Sequence, residues 1–324
     1  MRRDPPNPTT DFSKITQAKY IKLGEKGKWD NLCFKDGTLR LGYDEVAADY
    51  STPQGKKPVF DLYKKQGKTD GAASNHARQV HDFYAAGSET LWITFSDDKL
   101  WWCQARGPVE FISHDKEIAS KQGSRLRRTV SGWHDVSSMG KILHMGKMSG
   151  RLTKISGFRG TICDLQPTTF EYLFLLLQGK NIPAVEKVLA DKEELLGSIK
   201  KLIKDLNPFD FELLVDLIFS ASGWRRIGII GGTQKTKDLE LIMPVTEERA
   251  IVQVKSSTTQ QQFNEYLDRF EGFPADKIFY VYHTPERDLM CNAEETNIVL
   301  IGPKALAENV LRAGLVDWLI EKAG

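Results

Sequence analysis

The pattern of hydrophobic and polar positions changes twice along the chain and divides it into three regions. From about residue 18 to residue 165, short runs of aromatic and β-branched residues alternate with turn residues, which is typical of strands joined by tight turns. Residues 168–206 are rich in leucine, isoleucine and charged residues, which predicts a helical connector. After Asn207 and Pro208, helical and strand-like segments alternate. The sequence therefore predicts an N-terminal domain over residues 1–167 and a C-terminal domain over residues 207–324.

The N-terminal region has the pattern of an α+β or small-barrel domain. Residues 29–41 contain Asp-Gly between two apolar runs, which predicts a hairpin. Residues 91–105 predict a second hairpin, which turns at residues 96–98. Residues 75–86 lie between these two segments and have a helical pattern. Strands that enclose a single helix in this way favour a mixed α+β architecture.

The C-terminal region predicts an α/β domain with a mixed sheet. Asn207 and Pro208 suit the cap and first position of a helix that ends near Gly223. The strand-like segments that follow are residues 226–230, 238–245, 250–255, 277–283 and 297–301. Helical patterns cover residues 258–270 and 305–321. Because one helix crosses over after the third strand, part of the sheet should be parallel.

Four polar residues on two of these predicted strands are the candidates for chemistry. Asp238 and Glu240 are two positions apart and share one face of a strand, and so do Gln253 and Lys255. Residues 246–249 are a polar connection of hairpin type, which would bring the two pairs together. Charged residues on sheet strands are costly unless they bind something.

This combination of side chains suits the hydrolysis of phosphodiester bonds. Mg²⁺ prefers hard oxygen ligands and commonly takes one or two carboxylates together with water and substrate phosphate. A bound metal ion makes its water more acidic, and a lysine beside it can orient that water. We therefore predict a Mg²⁺ site at this part of the sheet, with Mn²⁺ as a substitute.

The C-terminal third also resembles a known family in its motifs. The order FELLVDLIF, a glycine-rich turn, KDLEL, VQVK and then a helix is similar to the Mrr-type restriction endonuclease domain of the PD-(D/E)XK nuclease superfamily. The resemblance implies a restriction-endonuclease-like core, with a mixed sheet flanked by helices. It also implies that Asp238 binds metal, that Gln253 takes the position of a second acid, and that Lys255 is the catalytic lysine. Glu212 matches a glutamate that some branches use as an extra metal ligand.

The second metal carboxylate and the roles of several residues stay open at this point. The resemblance favours Glu212 as the second carboxylate, whereas strand geometry favours Glu240. Glu212 would otherwise be a solvated helix residue, and Glu240 a charge that protects an edge strand. Lys255 would otherwise only neutralise Asp238.

Charge is unevenly distributed, and this suggests what the N-terminal region binds. Residues 1–170 carry 27 Lys and Arg against 19 Asp and Glu, whereas residues 207–324 carry 12 against 18. Within the first region, residues 116–160 contain ten basic residues and two acidic ones. Five of the seven tryptophans also lie in the first region, and aromatic rings among cations suit nucleic acid. The predicted DNA-binding residues are Arg125, Arg127, Arg128, Arg151, Lys154, Arg159, Trp101, Trp102 and Trp133. The alternative is that the tryptophans form the core.

Residues 83–105 loosely resemble PUA-like folds, including EVE domains, some of which bind flipped or modified bases. The resemblance implies that this domain reads a modified base in double-stranded DNA.

Other classes of protein are disfavoured. The four cysteines are scattered without a C-x-x-C pair, which suits a reducing cytoplasm. No apolar run approaches the length of a membrane span, and no phosphate-binding loop predicts a nucleotide cofactor.

These observations predict a Mg²⁺-dependent, restriction-type DNA endonuclease that acts as a homodimer. The alternatives are a nuclease specific for junctions or repair intermediates, and a DNA-binding protein with an inactive nuclease fold.

Overall fold

A computed structural model describes residues 11–46, 55–227, 238–270, 275–291 and 297–324. The chain divides into two compact units, residues 1–183 and residues 184–324. Both units combine helices with a mixed sheet, so the predicted α/β character of the chain is confirmed. Within the described residues, no helix is both long enough and apolar enough to cross a membrane.

The first unit is built on a six-stranded sheet. Its strands are β1 (Gln17–Ile21), β2 (Thr38–Leu41), β3 (Thr90–Ser96), β4 (Lys99–Phe111), β5 (Arg125–Thr129) and β6 (Ile162–Asp164). Their order is β2-β5-β4-β3-β1-β6, with β1 and β3 parallel and the other neighbours antiparallel. The helices of this unit are α1 (Asp30–Asp36), α2 (Lys56–Lys65), α3 (Asp70–Ala85), α4 (Lys116–Gln122), α5 (Gly150–Thr153) and α6 (Pro167–Leu177). The strand pairings of the described residues leave β2 and β6 at opposite ends of the order.

The predicted hairpin over residues 91–105 is confirmed, whereas the predicted hairpin over residues 29–41 is wrong. Strands β3 and β4 pair across Asp97 and Asp98, which both have positive φ, as a two-residue hairpin turn requires. Residues 29–41 instead form helix α1 followed by strand β2. Gly37 ends the helix with φ of 62°, and a glycine at that position suits the end of a helix as well as a hairpin turn. The local pattern did not distinguish these two uses.

The predicted helical connector consists of two helices that belong to different cores. Leu173 and Leu177 of α6 are buried in the core of the first unit. The next helix, α7 (Pro183–Asp205), buries Leu196, Ile199 and Ile203 in the core of the second unit.

The second unit is built on a five-stranded sheet. Its strands are β7 (Arg225–Arg226), β8 (Leu239–Ile242), β9 (Arg249–Thr258), β10 (Lys277–Pro285) and β11 (Ile298–Ile301). Their order is β11-β10-β9-β8-β7. Strands β8 and β9 form the predicted antiparallel hairpin, and β9, β10 and β11 are parallel. Most of the predicted strand over residues 226–230, and the glycine-rich turn after it, lie outside the described residues.

Helices cover both faces of this sheet. Helix α8 (Pro208–Ala221) packs on the face that carries Leu239, Leu241, Val252 and Val254. Helix α9 (Gln260–Phe270), the crossover between β9 and β10, packs on the opposite face. The predicted closing helix is two helices, α10 (Pro303–Arg312) and α11 (Val316–Ala323), because Gly314 adopts φ of 69° between them.

Candidate active site

The β8–β9 hairpin brings Asp238 and Gln253 into direct contact. Leu239 pairs with Val252, so Asp238 lies beside Gln253 on the next strand. The Asp238 backbone N–H donates to the carbonyl of Val252 at 3.1 Å. One carboxylate oxygen of Asp238 accepts hydrogen bonds from the Gln253 side-chain amide and from the Val254 N–H, the latter at 2.6 Å. These two donors fix the orientation of the carboxylate.

The side-chain oxygen of Gln253 is the most informative atom of the site. Gln253 is only 2% exposed, and its amide nitrogen is turned toward Asp238. Its Oε1 atom is buried and has no hydrogen-bond partner among the described residues. An unpaired buried carbonyl oxygen costs free energy on the order of 1–3 kcal/mol, so this oxygen is suited to accept a hydrogen bond or to coordinate a cation. Gln253 and Asp238 thus offer an adjacent amide oxygen and carboxylate.

Glu212 of helix α8 interacts electrostatically with the same charges. The first turn of this helix is fixed by Asn207, whose side-chain oxygen accepts the Asp210 N–H at 3.0 Å. Partial burial raises the pKa of Glu212, the charge of Asp238 raises it further, and Lys255 opposes both effects. Glu212 therefore lies within electrostatic range of Asp238 and Lys255, although it belongs to another element.

Asp238 itself is in an environment that disfavours its charge. Burial raises the pKa of Asp238, while the hydrogen bond from Val254, the charge of Lys255 and the hydrogen bond from Gln253 act in the opposite direction. A divalent cation would stabilise the charged form of such a carboxylate, which is desolvated but held by oriented donors and a lysine. Such an environment is typical of functional sites.

Glu240 lies two residues after Asp238 in the chain, beside the Asp238–Gln253 contact. Its cross-strand neighbour is Ile251, which belongs to the apolar cluster beneath α9 together with Phe263 and Tyr280. Within the described part of the chain, no three His, Cys, Asp or Glu side chains are close enough to hold a metal ion together. A metal ion would therefore depend on the Gln253 amide oxygen as well as on acids.

Two predicted DNA-binding arginines are buried, which corrects the expectation that they lie on a surface. Arg125 is fully buried and donates to the backbone carbonyls of Tyr43 and Val46 at 3.1 and 2.9 Å. Arg127 is 5% exposed and donates to the carbonyls of Phe83 and Ala86 at 3.3 and 2.6 Å. Their alternation with Leu126 on β5 turns both side chains inward.

Arg128 is the exposed arginine of the same strand. It makes two hydrogen bonds with the carboxylate of Glu110, at 2.8 and 3.1 Å. This surface ion pair leaves its guanidinium engaged within the protein.

The predicted tryptophans are also largely internal. Trp102 is fully buried and Trp133 is 7% exposed, so neither presents a free ring to a base, and the alternative reading as core residues is correct for both. Trp101 is half-buried and stacks on Phe34 with ring centroids 4.0 Å apart.

The remaining predicted cations form an exposed basic segment. Arg151, Lys154 and Arg159 are exposed, and residues 136–163 contain no Asp or Glu. Among the described residues, no ion pair engages these three side chains. Lys141 and Lys147 are exposed in the same segment.

Sequence reasoning missed Tyr266, whose ring lies beneath Lys255. The distance from the Lys255 ammonium to the centroid of this ring is 5.1 Å. The sequence feature that could have identified Tyr266 is its position three residues after Phe263, on the apolar side of the crossover helix.

Comparison with known proteins gives little further information. No protein-family profile matches the chain, and no curated protein matches it. Among solved structures, the chain is similar to the DNA modification-dependent restriction endonuclease AspBHI, at 13% sequence identity and a TM-score of 0.27. That match covers 88% of this chain and 79% of the other. Because a TM-score this low does not establish a shared fold, the function has to be inferred from the site itself.

Proposed function

We propose that this chain is a metal-dependent endonuclease that hydrolyses phosphodiester bonds in double-stranded DNA. The observation that carries the proposal is the buried Oε1 atom of Gln253, which lies beside the Asp238 carboxylate and has no hydrogen-bond partner in the part of the chain that the structure describes. Lys255 and Glu212 lie within electrostatic range of that carboxylate. Two adjacent oxygens, a second acid and a lysine are the groups that this reaction needs.

The oxygen donors fit a hard divalent cation, for which Mg²⁺ is the natural choice and Mn²⁺ a substitute. Asp238 and Gln253 would hold the ion. Glu212 is favoured as the second carboxylate because it interacts electrostatically with Asp238, whereas the cross-strand neighbour of Glu240 is the apolar Ile251. When bound, such an ion stabilises negative charge on the phosphate and increases the acidity of a coordinated water. The few protein ligands suit Mg²⁺, which usually keeps several waters.

The residues of the chain have separate tasks in this mechanism. The Val254 N–H and the Gln253 amide hold Asp238 in one orientation, so that no reorganisation is needed during the reaction. Lys255 places a positive charge near the scissile phosphate and orients the attacking water. Glu212, on helix α8, adds a negative charge that balances the positive charge of Lys255.

The first unit is proposed to bind the DNA. Its exposed cations, Arg151, Lys154 and Arg159, suit contacts to phosphate groups that carry no sequence information. Recognition of a modified base by this unit, cleavage by a homodimer and location in the cytoplasm are parts of the same proposal. Two copies would supply the two sites that cutting both strands requires.

The test is cleavage by purified protein and by Asp238→Asn, in Mg²⁺ and in EDTA, on modified duplex, plain duplex and a four-way junction. We expect Mg²⁺-dependent cleavage of a duplex by the wild type, and a loss of at least about 10²-fold in Asp238→Asn, the order that one electrostatic group contributes. Preferred cleavage of the junction would support the junction-specific alternative. Equal cleavage by wild type and variant would refute the site.

An inactive nuclease fold makes a different prediction. Such a protein would bind DNA but show no Mn²⁺ binding that depends on Asp238. A Mn²⁺ titration of wild type and Asp238→Asn, followed by calorimetry, separates this outcome from an active enzyme tested on the wrong DNA.

A further inference from the structure

The crossover helix α9 contributes an aromatic ring to the candidate active site. Tyr266 is 9% exposed and lies in the apolar cluster between α9 and the sheet. The Lys255 ammonium lies 5.1 Å from the centroid of its ring. This distance is within the range in which a cation is attracted to the negative face of an aromatic ring.

Lys255 needs such a contact because its own strand does not fix its end. A lysine side chain is a flexible four-carbon stem with a point charge, unlike the planar fork of arginine. The backbone of β9 places the root of this stem beside Gln253, but the ammonium can still reach many positions. A ring beneath the ammonium restricts it to positions on one side of the site.

We propose that Tyr266 is a positioning residue, which holds the Lys255 ammonium through the face of its ring so that it points toward the Asp238 carboxylate. This inference rests on the proposed nuclease function and adds a residue to it. The ring face makes the contact, so the hydroxyl group of Tyr266 is not required for it.

A second cation shares the same ring. The guanidinium carbon of Arg269 lies 5.3 Å from the Tyr266 centroid, so two positive side chains of different elements approach one ring. Loss of the ring would leave the repulsion between these two cations without the group that attracts both. The position of Lys255 is therefore expected to change when the ring is removed.

The test compares two substitutions of Tyr266 with one matched control in the same helix. Tyr266→Phe keeps the ring and removes the hydroxyl group, whereas Tyr266→Leu removes the ring and keeps a buried apolar side chain. Phe263→Leu is the control, because Phe263 is buried in the same cluster and packs on Tyr280 with ring centroids 5.0 Å apart. It removes one aromatic ring from the cluster without removing the ring beneath Lys255.

Single-turnover cleavage, DNA affinity and Mn²⁺ affinity are measured for each variant. We expect Tyr266→Leu to lower the cleavage rate by about 10-fold to 10²-fold, the upper value being the cost of displacing a catalytic group by about 1 Å. DNA and Mn²⁺ affinities should stay unchanged, and Tyr266→Phe and Phe263→Leu should cleave at rates close to the wild type. The melting temperature of each variant reports separately on folding.

The possible failures can be told apart. If the wild type cleaves and Lys255→Ala does not, but Tyr266→Leu cleaves normally, the positioning role is wrong while the nuclease function stands. If Tyr266→Phe is as impaired as Tyr266→Leu, the hydroxyl group and not the ring face matters, and the inference is overturned. If Lys255→Ala cleaves like the wild type, Lys255 has no catalytic role and the positioning role falls with it, while the nuclease function stands. If the wild type does not cleave DNA, the proposed function itself fails.

Discussion

In the proposed metal site, an acid at position 253 would be a stronger metal ligand than glutamine, but the amide of Gln253 makes a contact that an acid could not make. The Gln253 nitrogen donates to Asp238, which a glutamate cannot do. In the absence of metal, glutamine therefore stabilises a carboxylate that a second carboxylate would repel. The site is thereby compatible with a stable metal-free protein.

Gln253→Glu tests whether glutamine at this position stabilises the metal-free protein at the expense of metal affinity. We expect the metal-free variant to lose about 2 kcal/mol of unfolding free energy, because a hydrogen bond to a charged group is replaced by repulsion. Added Mn²⁺ should stabilise the variant more than the wild type. Thermal unfolding with and without Mn²⁺ measures both effects, and an equal response of the two proteins would argue against Gln253 as a ligand.

Asp30 in the first unit gives a prediction about pH. Burial raises its pKa from 3.8 to about 6, with a weaker opposing hydrogen bond from Ser96 and an added rise from the charge of Asp97. Between these two values the folded state holds a proton that the unfolded chain has lost. The stabilisation is therefore full below about pH 4 and is lost as the pH rises through about 6.

Asp30→Asn should remove this dependence. The fall in the unfolding free energy of the first unit between pH 4 and pH 7 should shrink by up to about 3 kcal/mol, the equivalent of a shift of about two pKa units. Denaturant unfolding at several pH values measures it, with the exposed Glu117→Gln as a control. An unchanged profile in Asp30→Asn would show that this carboxyl has an ordinary pKa.

At the residue scale, some contacts could be predicted from the sequence and others could not. The contact between Asp238 and Gln253 followed from strand alternation and a short hairpin, which are both local rules. The burial of Arg125 and Arg127 did not, because a charge count does not say whether a guanidinium bonds phosphate or backbone carbonyls. Only the packing of α3 and of the loop after β2 onto β5 decides that.

At the scale of elements, the short connections were harder to predict than the long helices. The hairpin of β8 and β9, and the crossover of α9, have clear periods in the sequence. Gly37 and Gly314 end helices with positive φ, but each can equally be read as a turn between strands or as part of a longer helix. The pairing of the strands decides between these interpretations, and the sequence around each glycine does not contain that information.

Strand β5 supports helix α3 through one buried arginine. Arg127 donates to the carbonyls of Phe83 and Ala86, where α3 ends, and a cation at that end also suits the helix dipole. We expect Arg127→Met to lower the unfolding free energy by about 3 kcal/mol, since it leaves buried carbonyls without donors. Urea unfolding measures this loss, and a loss below about 0.5 kcal/mol, the scatter of surface substitutions, would show that the arginine is dispensable for folding.

At the scale of the whole molecule, residues 136–163 of the first unit carry exposed cations and no acids, while the candidate chemistry lies in the second unit. Because few cations in this part are paired, they are available to a polyanion. The proposed division into a binding unit and a chemical unit is suggested by the charge asymmetry of the sequence. Which of the basic residues are available was not visible, since burial removed two of them from the surface.

A triple substitution of Arg151, Lys154 and Arg159 by alanine tests the proposed DNA surface. If each contacts a phosphate, the salt slope of log affinity should fall in magnitude by about 2 to 3, at about 0.9 per contact. Fluorescence anisotropy on a labelled duplex, over a range of salt concentrations, measures this slope. The unfolding free energy should be unchanged, and an unchanged slope would move the DNA surface elsewhere.

The central claim is that Lys255, Asp238 and Gln253 act together on a DNA phosphate. The most direct measurement is the single-turnover cleavage rate of duplex DNA in Mg²⁺ for wild type, Lys255→Met and Lys277→Met. Lys277 is the matched control, because it lies on neighbouring strand β10 and pairs with Glu248 at 2.9 Å. We expect Lys255→Met to bind DNA normally but not to cleave it, while Lys277→Met should do both. Cleavage by Lys255→Met at the rate of the control would contradict it.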